Sequence, residues 1–77
     1  MEKTMIKQKW RGAFNYRRSV KVMYAYAFTK KQAWLVFCNR LAEKDGIDPR
    51  IVMGLFDGSL PNYDITIEME IKEVEYS

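Results

Sequence analysis

At Thr29 the spacing of apolar residues changes from two to about 3.6, and that change of period sets the class of fold open to this chain. Before it, residues 4–16 alternate. Ile6, Trp10, Phe14 and Tyr16 fall on even positions with Gln8 and Gly12 between them, and Lys7, Lys9 and Arg11 fall on odd ones. This describes a half-buried strand with a basic outer face. Gly12 inside it marks a bulge or a close approach by another backbone. The polar run Asn15-Tyr16-Arg17-Arg18-Ser19 reads as a hairpin turn, although it carries no Asn-Gly signature. Residues 20–28 form a second strand, with Val20, Val22, Tyr24, Tyr26 and Phe28 on one face and Lys21, Met23, Ala25 and Ala27 on the other. Both faces are largely apolar, so periodicity leaves open which of them is buried.

After Thr29 the pattern is helical. Thr29-Lys30-Lys31-Gln32 fits a capping box, in which the Thr hydroxyl takes one free amide and the Gln side chain reaches back to another. Trp34, Phe37, Cys38, Leu41 and Ala42 then share one side, and Asn39, Arg40, Glu43 and Lys44 the other, with Val36 breaking the pattern. Gly46 stops this helix, predicted over 30–45, in the left-handed conformation. Asp48-Pro49 opens a shorter helix whose apolar side is Ile51, Val52, Leu55 and Phe56, ended by Asp57-Gly58. A last strand is predicted from Asp64 to Tyr76. Ile65, Ile67, Met69 and Ile71 point inward and Thr66, Glu68, Glu70 and Lys72 outward, with a bulge or departure from the sheet near Lys72.

The order is therefore β-β-α-α-β, an α+β fold. A right-handed crossover places the last strand beside the first, giving a three-stranded antiparallel sheet of order 2-1-3 with both helices on one face. A chain of 77 residues holds one core, so residues 1–77 are read as a single domain with an ordered core over about 3–76. A domain of this size buries only roughly 60–65 % of its unfolded surface and gains from a staple or a partner. The single cysteine, Cys38, forms no intrachain disulfide, and with no histidine there is no zinc-type site. Self-association, as a homodimer, is the expected supplement.

Several function classes fall away. Without histidine there is no imidazole base for a Ser or Cys nucleophile. Gly12, Gly46, Gly54 and Gly58 form no phosphate loop. Cys38, mid-helix on the apolar side, reads as a small core residue. No enzyme activity, catalytic residue, metal or cofactor is expected. The longest apolar runs, Met23–Phe28 and Ala33–Cys38, are far shorter than the about 20 residues of a membrane span. Met1-Glu2-Lys3-Thr4 does not read as a signal peptide, and with a free thiol this points to the cytoplasm.

What remains is binding. Residues 1–44 carry eleven Lys/Arg and two acids, net +9, whereas residues 45–77 carry two Lys/Arg and eight acids, net −6. One reading is structural: Lys7, Lys9 and Arg11 face Glu68 and Glu70 across neighbouring strands, each pair stabilising by roughly 0.2–1 kcal/mol. Another is a nucleic-acid surface built from Lys7, Lys9, Arg11, Arg17, Arg18 and Lys21, with cations on phosphates and aromatics on bases. Parity weakens it, because Trp10, Phe14 and Tyr16 point away from Lys7, Lys9 and Arg11; Arg17 and Arg18, exposed in the turn, are the better phosphate contacts. The third is a protein interface of Val20, Val22, Tyr24, Tyr26 and Phe28 on a lightly protected edge strand. The leading expectation is a non-catalytic, self-associating protein-interaction module, such as an inhibitor or accessory protein of a mobile element or phage. The alternative is a nucleic-acid accessory protein.

Overall fold

The computed structural model describes residues 7–69. Its elements are β1 (Gln8–Tyr16), β2 (Ser19–Ala27), α1 (Lys30–Asp45), α2 (Pro49–Leu55) and β3 (Tyr63–Met69). The sheet is antiparallel throughout, in the order β2-β1-β3, with the helices on one face. The α+β class, element order and sheet order are those the change of period predicts. The bulge expected near Lys72 and the inward Ile71 lie outside the described residues. Within them, the register shifts between Lys9 and Trp10 of β1, where β3 passes from Ile67 to Met69.

The covered face of the sheet is where the aromatic residues of β1 go. Trp10, Phe14 and Tyr16 are buried with Ala25, Ala27 and Ile65 against Ala33, Phe37, Cys38, Leu41 and Ala42 of α1 and Val52 and Phe56. Phe14 is at the centre, edge-on to Phe37 and Phe56 at 5.6 and 4.8 Å between centroids and stacked on Tyr63 at 5.2 Å. A fully buried Phe of this kind stabilises by roughly 1.5–3 kcal/mol through area alone. Trp10 leans toward β2 and donates its indole N–H to the Ala27 carbonyl at 3.0 Å.

Gly12 makes this packing possible. A Cβ there would sit 2.6 Å from Phe37 Cε2 and 2.9 Å from Phe14 Cε1. The close approach is thus made by a ring of α1, not by another backbone.

The helix ends follow the expected chemistry. Thr29 Oγ1 accepts from the Gln32 amide at 3.1 Å, and Gln32 Oε1 accepts from the Phe28 amide at 2.9 Å, one residue further back than a capping box reaches. Gly46 takes φ 66, and the Ile47 amide folds back to the Ala42 carbonyl at 3.0 Å. Asp48 caps α2 by accepting from the Arg50 amide at 2.9 Å. Its carboxyl lies below the usual range because the Arg50 side chain and then the Arg50 amide bond to it.

Three expected inward residues are not covered. Ile51 and Leu55 of α2 and Ile67 of β3 are all about half exposed. A helix of two turns turns only one stripe to the core, and Val52 and Phe56 take it. Ile67 sits on an edge strand opposite Trp10, whose indole has swung the other way.

Candidate functional site

The open face of the sheet is organised by the turn at its end. Arg17 and Arg18 alone join β1 to β2, with φ 51 and 64. Two successive left-handed residues make a type I′ turn, which normally takes Asn-Gly because a side chain costs on the order of 1 kcal/mol there. The turn is narrower than the Asn15–Ser19 run, and Tyr16 and Ser19 already pair. Arg17 Nε lies 2.9 Å from Asp45 Oδ2 at the end of α1, and the Tyr16 hydroxyl donates to the same oxygen. The Tyr16 phenol first, and Asp45 second, raise the Arg17 pKa. Together they offset the poor placement of an acid at a helix C-terminus. Arg18 is exposed.

From this turn the register assigns both faces of β2. Ala25 and Ala27 are buried under α1, so Val20, Val22, Tyr24 and Tyr26 stand on the open face, 64, 45, 43 and 57 % exposed. Phe28 lies past the end of β2 and is half-buried. Pairing brings β1's cations onto the same face. Lys9 stands opposite Tyr26, Arg11 opposite Tyr24, and Ala13 opposite Val22. The parity that separates cations from aromatics within β1 thus unites the cations of β1 with the aromatics of β2. Lys9 Nζ lies 5.2 Å from the Tyr24 ring centroid and Lys7 Nζ 5.6 Å from that of Phe28. On the other side of β1, Asp64 pairs with Ala13 and Thr66 with Arg11.

The expected ion pairs of Lys7, Lys9 and Arg11 with Glu68 do not form. Among the described residues the ion pairs are Arg17–Asp45 and Arg50–Asp48. The register shift takes Glu68 out of the regular row, and the rings of Tyr24 and Phe28 offer Lys9 and Lys7 another partner. Glu70 lies outside the described residues.

The free edge of β2 is protected by more than Lys21. Arg40 of α1 reaches over it and donates from Nη1 to the Tyr24 carbonyl. Arg40, Lys44 and Lys21 line one groove of about 390 Å³ between this edge and α1. The sequence placed Arg40 and Lys44 only on the polar side of a helix, because nothing short of the topology says which strand edge that side overlooks.

Elsewhere the chemistry is sparse. A second groove, about 480 Å³, is walled by Trp34, Phe56, Tyr63 and Ile65, with Lys30, Lys31 and Asp57 at its margin. Within it Trp34 donates to the Phe56 carbonyl at 2.8 Å and Asp57 accepts the Ser59 amide at 2.9 Å. Cys38 is fully buried, and burial pushes its thiol up to about 11. A thiol in that state is a poor nucleophile at neutral pH. Among the described residues there is no group of three or more His, Cys, Asp or Glu able to hold a metal, and no helix long and apolar enough to cross a membrane. No protein-family model matches the chain, and no curated protein or solved structure does either.

Proposed function

We propose that the protein is a non-catalytic interaction module that self-associates through the open face of its sheet. The observation that carries this reading is the run of four consecutive outward side chains on β2, Val20, Val22, Tyr24 and Tyr26, all apolar or aromatic and all uncovered. Contiguous apolar surface of this kind marks interfaces in small soluble domains. The single cysteine can form no intrachain disulfide, and covering this stripe adds apolar burial where a small chain needs it. Arg40 on the Tyr24 carbonyl favours contact through the face over a continuous sheet through the edge.

Light scattering at micromolar concentration tests it. The wild-type chain should give twice the chain mass. The Val22→Glu/Tyr24→Glu variant should give the monomer mass with unchanged circular dichroism, since neither side chain packs in the core. A wild-type protein that stays monomeric at high concentration rejects the reading.

One observation supports a second reading, a nucleic-acid accessory role. Lys9 and Arg11 share the face with Tyr24 and Tyr26, the mixture on which single strands stack and are neutralised. Binding of an oligonucleotide that weakens steeply with salt, and is lost on reversing Arg17 and Arg18 to Glu, would put this reading first.

A further inference from the structure

The groove beside β2 differs from the open face in being walled by backbone as well as side chains. A two-residue turn makes its flanking pair, Tyr16 and Ser19, hydrogen-bonded, and bonded pairs then recur at every second position. The alternate residues, Val20, Val22, Tyr24 and Tyr26, therefore turn their N–H and C=O groups away from β1, toward the free edge, where Val20 and Val22 border the groove. The Arg40 bond to the Tyr24 carbonyl agrees with this and occupies one of those acceptors. Every titratable side chain lining the groove is a cation: Lys21 on β2, and Arg40 and Lys44 one turn apart on α1. Its apolar floor comes from Met23 and Leu41.

We propose that this groove takes an extended acidic segment of a partner protein as a fourth strand beside β2. The edge supplies the main-chain bonds, as in strand addition generally. The cations supply the selection. Residues of the incoming strand opposite Lys21 and Met23 turn toward α1, so carboxylates at those positions meet Lys21, Arg40 and Lys44. The intervening residues lie on the open face and extend the Val20–Tyr26 stripe. The segment recognised thus alternates acidic with apolar or β-branched residues. Arg40 guards the edge until a carboxylate gives its guanidinium a better, bidentate partner. A second copy of β2 is a poor occupant, because it would bring its own Lys21, Arg40 and Lys44 to the same groove. The proposal concerns the edge, and stands whether or not copies pair through the face.

The test uses the full chain and a short fluorescein-labelled peptide in which Glu alternates with Val and Thr. Fluorescence anisotropy should report binding at low salt, and the same peptide with Lys for Glu should not bind. Amide exchange at Val22 and Tyr26 should slow on adding the acidic peptide. The Lys21→Glu/Lys44→Glu variant, folded by circular dichroism, should bind roughly tenfold or more weakly. No binding of the acidic peptide at low salt overturns the proposal. So does binding without protection at Val22 and Tyr26, which would be surface charge alone. Displacement of the peptide by lower concentrations of oligothymidylate would assign the cations to nucleic acid instead.

Discussion

The two faces of the sheet use the same kinds of residue to opposite ends. On the covered face, Phe14 is wholly buried among Phe37, Phe56 and Tyr63, each ring fixed by the next. On the open face, Tyr24 and Tyr26 have no such neighbours; a lysine ammonium lies near one of them. An aromatic side chain is therefore no guide to its own role. What decides is whether α1 lies over it, and α1 lies over the side of β2 that carries alanines.

The sharpest way to break this comparison is to truncate one ring on each face. Phe14→Ala removes the hub of the cluster and should cost about 3–5 kcal/mol, enough to unfold much of a domain this small. Tyr26→Ala at low concentration should stay within about 0.5 kcal/mol of wild type. Denaturant midpoints measure both, and comparable losses would mean the open face is packed.

A second effect belongs to the covered face alone. The Cys38 thiol ionises at about 11 in the folded chain against an ordinary value of 9.0. Between those values the unfolded chain has already released its proton and the folded chain has not, so stability falls as pH rises. The loss should approach about 2–3 kcal/mol by pH 11. Taking the difference between wild type and Cys38→Ala at each pH cancels the tyrosines and lysines that titrate in the same range. A flat difference would mean the thiol is not sealed.

The smallest effect is a gain. Arg17→Asn/Arg18→Gly places residues that accept positive φ in the turn and should stabilise by about 1 kcal/mol, the exposed Arg17–Asp45 pair contributing less than the strain it accompanies. A loss of stability would show that the ion pair outweighs the strain. A gain accompanied by lost oligonucleotide binding would show that the strained arginines serve binding.

The parts of this fold legible in the sequence are those set by neighbours in the chain. Parity buried Trp10, Phe14 and Tyr16, and the Thr29 and Gly46 caps bounded α1 to the residue. The parts that were not legible depend on elements distant in sequence. Arg-Arg carries no signal for positive φ, so the width of the turn was hidden. Ile51, Leu55 and Ile67 look apolar enough to be buried, and only the reach of the layer above them says otherwise. The candidate site divides in the same way. Val20, Val22, Tyr24 and Tyr26 could be picked out as one stripe, but its exposure had to wait for α1 to choose the alanine side. The meeting of Lys9 with Tyr24, and of Arg40 with the strand edge, exists only once the register is set.

The position of β1 between β2 and β3 has a consequence for how the chain is made. Its first neighbour follows at once, through a two-residue turn, but its second begins only at Tyr63, after the 46 residues from Arg17 to Asn62. At ordinary rates of synthesis, roughly 5–20 residues per second, the central strand waits about 2–9 s with one side unpaired. Once Ala27 has been added, the hairpin of β1 and β2 still leaves the β3 side of β1 unpaired. Closing β1 against β3 is the long-range, entropically slow step, so it should limit the folding rate. Until it happens, the growing chain is most open to capture by a chaperone or by the hairpin of a neighbour on the same message.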